Sequence, residues 1–173
     1  MKVLVVVDMQ NDFIDGALGS QQAQAIVPNA INRIKECVAE GYKVYATRDT
    51  HYEDYVNSQE GRKLPVPHCI AMTHGWQIKD VIAAELPEDT KILNKITFGY
   101  DGWDKYHFDE AGVTEIELLG LCTGICVISN AMLLKAIYPE ITIKVNAGCS
   151  ACVSEASHNN ALEAMKLCQI EIV

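Results

Sequence analysis

The chain has 173 residues and a net charge of −9, with 49% hydrophobic and 21% charged residues. This composition is typical of one soluble globular domain with a substantial core, so we expect a single domain over residues 1–173. The acidic balance, without a cluster of Lys or Arg, argues against nucleic acid or a membrane surface as a partner. The apolar run at residues 3–7 is too short for a membrane span or for the core of a signal peptide.

The seven cysteines, an odd number in a chain without a secretory signal, indicate reduced thiols and a cytoplasmic location. Cys149 and Cys152 have CxxC spacing, but no second such pair completes a zinc site. We therefore expect this pair to be structural.

Apolar runs and helical spacings alternate along the whole chain. Continuous β-branched or apolar runs predict six strands, at residues 2–8, 42–47, 90–94, 113–121, 141–145 and 169–173. Helical patterns lie between them, at residues 26–38, 76–85, 103–110, 127–138 and 156–168. Polar loops are predicted at residues 9–19 and 52–63, and a loop with two prolines at residues 64–69. This alternation predicts one parallel sheet with helices on both faces.

Three chemically active side chains follow the ends of predicted strands. Asp8 is the last residue of the first predicted strand, and Lys95 directly follows the third. Cys126 follows the fourth strand after a tight turn. Parallel α/β sheets bind ligands at this carboxyl edge, so we expect the three side chains to lie close together. A thiol, an ammonium and a carboxylate form a coherent set for nucleophilic catalysis.

Cys126 is predicted to lie near the N-terminus of the helix at residues 127–138. The positive end of the helix dipole favours thiolate over thiol, so we expect the pKa of Cys126 to be lowered. The N–H groups of the same turn could receive the oxyanion that forms when the sulfur attacks a carbonyl.

Two stretches and one lysine carry a family resemblance. Residues 5–13 (VVVDMQNDF), Lys95 and residues 120–127 (GLCTGICV) are similar to the motifs of the isochorismatase-like cysteine hydrolases. The resemblance covers nearly the whole chain in the right order. It implies a Rossmann-like three-layer sandwich whose six-stranded parallel sheet has the order 3-2-1-4-5-6.

The same resemblance implies roles for individual residues. Asp8, Lys95 and Cys126 match the family's catalytic triad, and the N–H groups of Cys122 and Cys126 match its oxyanion hole. The peptide bond between Leu121 and Cys122 corresponds to the family's cis peptide. Family members often form oligomers, so we expect a homo-oligomer.

A second group of residues indicates which subfamily the chain resembles. Asp49, His51 and His68 offer a carboxylate and two imidazoles, which suits Zn²⁺, Mn²⁺ or Fe²⁺. Within the family, the Asp-x-His pattern and the later His68-Cys69 pair are similar to the nicotinamidase metal site. The resemblance therefore implies a divalent metal, with zinc as the first choice, and Glu60 could add a further oxygen ligand.

The resemblance implies hydrolysis of nicotinamide to nicotinate and ammonia through a Cys126 thioester. Phe13, Phe98 and Tyr100 are the candidate aromatic walls for the substrate ring. The alternative is a metal-independent carbamoyl- or ureido-type cysteine amidase of the same family. A Rossmann cofactor module is a third class, but the segment after the first strand (MQND) is not glycine-rich. A redox role for Cys149 and Cys152 is also disfavoured, because this pair does not follow an early strand.

Overall fold

The computed structural model describes residues 1–173 as one α/β domain built on a six-stranded, all-parallel sheet. The strands are β1 (Lys2–Val7), β2 (Lys43–Asp49), β3 (Lys91–Lys95), β4 (Glu115–Leu121), β5 (Thr142–Ala151) and β6 (Glu171–Ile172). Their order in the sheet is β3-β2-β1-β4-β5-β6. The predicted fold class and strand order are confirmed.

Six α-helices connect the strands. They are α1 (Asn11–Ile14), α2 (Gln21–Ala39), α3 (Gln59–Lys63), α4 (Asp80–Ala83), α5 (Ile128–Ile137) and α6 (Glu155–Leu167). A π-helical turn, Thr123–Val127, joins β4 to α5, and short 3-10 helices lie at Tyr55–Asn57 and Trp103–Tyr106. None of these helices has the length and hydropathy that crossing a membrane requires.

The sheet is apolar on both faces, which explains why its central strands are continuous hydrophobic runs rather than alternating ones. Along β1, Val3, Val5 and Val7 belong to one hydrophobic cluster, whereas Leu4 and Val6 belong to the cluster on the opposite face. The first cluster packs against α5 and α6, and the second against α2. The core therefore has two halves separated by the sheet.

Several predicted boundaries are wrong. Strand β5 runs to Ala151 instead of ending at residue 145, because Ser150 and Ala151 pair with Gly120 and Leu121 of β4 beyond an irregularity in register. The helix predicted at residues 76–85 is only the four-residue α4. Two short helices, α1 and α3, lie in the segments predicted to be polar loops.

Gly120 allows β4 to approach β1 closely near the carboxyl edge. Its φ of +127° lies in the region that favours glycine, and a Cβ at this position would collide with the carbonyl oxygen of Val7. The next residues form the cis peptide between Leu121 and Cys122, as the resemblance implied, and then the π-helical turn.

Candidate active site

The structure brings Asp8, Lys95 and Cys126 together at the carboxyl edge of the sheet. Asp8 follows β1, Lys95 is the last residue of β3, and Cys126 lies in the π-helical turn after β4. Lys95 Nζ is 2.6 Å from Asp8 Oδ2 and 3.5 Å from Cys126 Sγ. All three residues are at most 5% exposed. The grouping predicted from the strand ends is therefore present.

Asp8 is held by a second neighbour, Thr47 on β2, whose hydroxyl donates a 2.6 Å hydrogen bond to Oδ1. The other carboxylate oxygen, Oδ2, has the close ion pair with Lys95 but no hydrogen-bond donor aligned on it. Burial raises the pKa of Asp8, and the charge of Lys95 opposes this rise only in part. A carboxylate with a raised pKa is a better proton acceptor.

Lys95 lies between two carboxylates. Its ammonium also contacts Asp49 Oδ1 at 3.3 Å and donates to the carbonyl of Thr97 at 3.0 Å. Burial alone would lower the pKa of Lys95, but Asp8, Cys126 and Asp49 outweigh burial and raise it. Lys95 is therefore a permanent positive charge beside the sulfur.

The predicted lowering of the Cys126 pKa is wrong. Burial, followed by the charge of Asp8, raises the pKa of this thiol well above its usual value, against the opposing effect of Lys95. Helix α5 begins only at Ile128, and the N–H groups of Ile125 and Val127 on either side of Cys126 already donate to the carbonyl of Cys122. Burial thus disfavours the thiolate of Cys126, and its use as a nucleophile requires a base.

The π-helical turn is anchored by neighbouring side chains. Thr123 is fully buried, and its hydroxyl is hydrogen-bonded to His158 of α6 at 2.8 Å. Asn130 of α5 donates to the carbonyl of Cys126 at 2.8 Å. The N–H of Cys122, at the start of the turn, donates to no acceptor in the protein. This group is available to an oxygen atom of a bound molecule.

A group of potential metal ligands lies next to Lys95. Ligand atoms of Asp49, His51, Glu60 and His68 all lie within 4.8 Å of one another. The Nε2 atoms of His51 and His68 are 3.0 Å and 3.5 Å from Asp49 Oδ2, and 3.6 Å and 3.9 Å from Glu60 Oε1. The three predicted ligands are therefore brought together with Glu60, the fourth residue considered.

Supporting contacts orient this group. His68 donates from Nδ1 to the carbonyl of Val66, which leaves Nε2 for the cluster. Gln10 holds the backbone of Asp49, accepting from its N–H at 2.7 Å and donating to its carbonyl at 2.9 Å. Cys69 contributes its backbone N–H to Asp12, while its thiol is not part of the cluster.

The charges of the cluster favour a cation. Burial alone would raise the pKa of Asp49, but hydrogen bonds with His51 and His68 and the charge of Lys95 bring it well below the usual value. Burial and the charge of Asp49 raise the pKa of Glu60. Burial would lower the pKa of His68, but the hydrogen bond with Asp49 leads the effects that raise it. The carboxylates and imidazoles therefore form a group in which nearby positive charge is favoured.

One cavity of about 190 Å³ joins the two groups of residues. Cys122 and Cys126 line it, and so do Asp49, Glu60 and His68 of the potential metal cluster. The remaining walls are apolar and consist of Phe13, Leu18, Leu64, Phe98, Ile125 and Val153. The cavity can therefore enclose a small molecule whose polar groups meet the thiol and the cluster.

Phe13 and Phe98 lie in the cavity wall, but Tyr100 does not. The ring of Tyr100 packs edge-on against Trp103 at 5.2 Å, beside the core. This structure corrects the assignment of Tyr100 as a wall residue. Sequence reasoning also missed four aliphatic wall residues, because isolated apolar residues in loops or turns have no periodic signal.

Comparison with known proteins finds a matching domain family and a similar relative. The isochorismatase domain model matches residues 2–173. A nicotinamidase/pyrazinamidase of Mycobacterium tuberculosis is 25% identical over 187 aligned residues, which cover 100% of this chain and 98% of that protein.

Two solved structures are also similar. Pyrazinamidase of Pyrococcus horikoshii in complex with zinc has a TM-score of 0.85 and 28% identity, covering 99% of this chain and 98% of the other. N-carbamoylsarcosine amidase of Thermoplasma acidophilum has a TM-score of 0.82 and 25% identity, covering 99% and 94%. The family match and these relatives indicate a hydrolase of amide C–N bonds. Because the family model covers nearly its whole length, the chain belongs to the isochorismatase domain family.

Proposed function

We propose that this protein is a metal-containing cysteine amidohydrolase that converts nicotinamide to nicotinate and ammonia. One observation carries the proposal. The cavity lined by Cys126 is also lined by Asp49, Glu60 and His68 of the potential metal cluster. A heteroaromatic amide has the matching features, with a carbonyl carbon for the sulfur and a ring nitrogen for the cluster.

In the first step, Asp8 accepts the proton of the Cys126 thiol as the sulfur attacks the amide carbonyl carbon. The unaligned Oδ2 of Asp8 and its raised pKa suit this role. The C–S bond forms and the carbonyl π electrons move to oxygen. The N–H groups of Cys122 and Cys126 stabilise this oxyanion. The positive charge of Lys95 also stabilises the anionic intermediate.

In the second step, the oxyanion collapses and the C–N bond breaks. Asp8 returns its proton to the leaving nitrogen, which departs as ammonia and leaves a thioester on Cys126. Asp8 then takes a proton from a water molecule, whose oxygen attacks the thioester carbonyl. The C–S bond breaks and the carboxylic acid leaves. Asp8 then returns its proton to the sulfur of Cys126.

The donor set fits a divalent metal ion. Two imidazoles and two carboxylates, mostly buried and within reach of one another, form a ligand group suited to zinc, manganese or iron. Asp49, His51, Glu60 and His68 would hold the ion, which when bound supplies a Lewis acid for a ring nitrogen or for water. Among these metals we propose zinc, which is present in the related pyrazinamidase of Pyrococcus horikoshii.

The alternative is a carbamoyl-type amidase, which the likeness to N-carbamoylsarcosine amidase supports. Such an enzyme would use Asp8, Lys95 and Cys126 without the metal cluster. The cavity favours nicotinamidase activity over the alternative, because residues of the metal cluster line it.

The test is ammonia release from nicotinamide, with the metal content measured on the same purified sample. We expect turnover together with about one metal ion per chain. Bound metal without turnover would mean that the substrate is an amide other than nicotinamide. Absence of both, combined with hydrolysis of an N-carbamoyl amino acid, would replace the proposal with the carbamoyl-type activity.

A further inference from the structure

Asn130 is a buried polar side chain whose hydrogen-bonding groups are all used. The residue lies in α5 and is 0% exposed. Its Nδ2 donates to the carbonyl of Cys126 at 2.8 Å and to the carbonyl of Phe98 at 3.3 Å. Its Oδ1 accepts from the N–H of Tyr100 and from the indole N–H of Trp103, both at 2.9 Å.

These four bonds join the turn that carries Cys126 to the segment that carries Phe98. Cys126 belongs to the π-helical turn after β4, whereas Phe98 and Tyr100 belong to the loop after β3. The Phe98 ring is a cavity wall, 43% exposed, and no hydrogen bond other than that from Asn130 reaches its carbonyl. Asn130 is therefore one of two side chains that tie this loop to Cys126. The other is Lys95, which donates to the carbonyl of Thr97 and contacts the sulfur, and only Asn130 bonds to Phe98 itself.

We propose that Asn130 is a positioning residue that fixes the Cys126 sulfur and the Phe98 wall relative to each other. This inference rests on the proposed function, since it assigns Phe98 to the substrate side of the cavity. The link to Cys126 controls the angle of attack, which affects kcat. The link to the Phe98 loop controls the fit of the substrate, which affects KM.

Helix geometry allows these two links to be separated by substitution. A Ser hydroxyl in a helix can donate to the carbonyl four residues earlier. Ser129 already does so, with a 2.6 Å bond to the carbonyl of Ile125. Asn130→Ser should therefore keep a bond to the carbonyl of Cys126 and lose the bonds to the loop, whereas Asn130→Ala loses both links.

Steady-state kinetics of amide hydrolysis tests this division. We expect Asn130→Ser to raise KM about fivefold with kcat within about threefold of the wild type, and Asn130→Ala to lower kcat by at least about tenfold as well. Tyr138→Phe is the matched control. It removes a buried 2.6 Å hydrogen bond to the carbonyl of Trp103, a partner of Asn130, but removes no bond of Asn130 itself. Its kinetic constants should stay within about twofold of the wild type.

Two results would overturn the inference. One is a kcat for Asn130→Ala similar to that of Asn130→Ser, and the other is an equal fall in kcat for Tyr138→Phe. If the wild type hydrolyses no amide, the proposed function fails, but the positioning role can still be measured. The readout is then the rate at which iodoacetamide labels Cys126, followed by peptide mass spectrometry. A changed rate in Asn130→Ala but not in Asn130→Ser supports the link to the sulfur, and equal rates contradict it.

Discussion

Lys95 is a buried cation that separates two buried carboxylates. Its side chain is 1% exposed, and Asp8 and Asp49 lie within 3.3 Å of its ammonium. Removing one partner of such a buried pair leaves uncompensated charge, which costs more than the pair itself contributes.

Lys95→Met should therefore lower the free energy of unfolding by about 3 kcal/mol, in addition to abolishing activity. Urea denaturation measures this change. Lys2→Met is the control, because Lys2 is half exposed in its ion pair with Glu115. It should cost less than about 1 kcal/mol. Equal effects of the two variants would mean that Lys95 has no special role in the charge balance of the site.

His51→Ala tests the metal cluster. His51 is 8% exposed and its Nε2 is 3.0 Å from Asp49 Oδ2, so its loss removes one of four ligands. We expect metal content, measured by mass spectrometry of the purified protein, to fall from about one ion per chain to a small fraction. His107→Ala should keep the full content, since the His107 side chain is exposed and pairs with Glu110, outside the cluster. Unchanged metal in His51→Ala would remove this residue from the proposed ligand set.

At the scale of single residues, sequence was most informative where a polar side chain interrupts an apolar run. Asp8 and Lys95 stand out in this way, and both lie where the strand ends predict. The protonation state of Cys126 could not be inferred, because it depends on burial and on Asp8, which is distant in sequence. Asn130 gave no signal either, because three of its four partners (Phe98, Tyr100 and Trp103) become neighbours only in the folded chain.

At the scale of elements, the approach of β4 to β1 depends on Gly120. Gly120→Ala would place a Cβ against the carbonyl of Val7 and force alanine to a φ of +127°. We expect a loss of more than about 2 kcal/mol in unfolding free energy, measured by thermal or urea denaturation. Gly148→Ala in β5 is the control, because its nearest neighbour would lie 3.8 Å away. A stable, active Gly120→Ala variant would show that the strands can separate there.

All six strands and the helices α2, α5 and α6 followed from the apolar patterns, but their lengths did not. The helix predicted at residues 103–110 is only a 3-10 helix, Trp103–Tyr106, and α1 and α3 were predicted as loops. The pattern of β5 weakens after Val145, yet pairing with β4 continues to Ala151. The backbone hydrogen bonds of the sheet thus override the weak local signal. The π-helical turn has no sequence signature of its own, although the motif at residues 120–127 identified its position through the family resemblance.

At the scale of the whole molecule, one ion pair connects the layers. Arg33 of α2 donates two hydrogen bonds, of 2.8 and 2.7 Å, to the carboxylate of Glu117 in the middle of β4. The Glu117 side chain is only 1% exposed. The hydrogen bond to Glu117 leads the effects that raise the pKa of Arg33, so the guanidinium stays charged.

Arg33→Met should lower the unfolding free energy by about 3 kcal/mol, because the buried Glu117 carboxylate loses its counter-ion. The control is Glu36→Gln, which removes the exposed partner of the same arginine and should cost less than about 1 kcal/mol. Combining Arg33→Met with Glu117→Met should recover most of the loss in urea denaturation. Failure to recover would mean that Arg33 stabilises the fold through packing rather than through charge.

In the proposed mechanism, the thiol of Cys126 is the nucleophile of an amide hydrolase. The most direct measurement is the rate of ammonia release from nicotinamide by the wild type, by Cys126→Ala and by Cys168→Ala, whose exposed cysteine serves as the control. We expect Cys168→Ala to match the wild type and Cys126→Ala to be slower by at least about a thousandfold while keeping its fold by circular dichroism. Turnover by Cys126→Ala at a rate near that of the wild type would contradict the covalent mechanism.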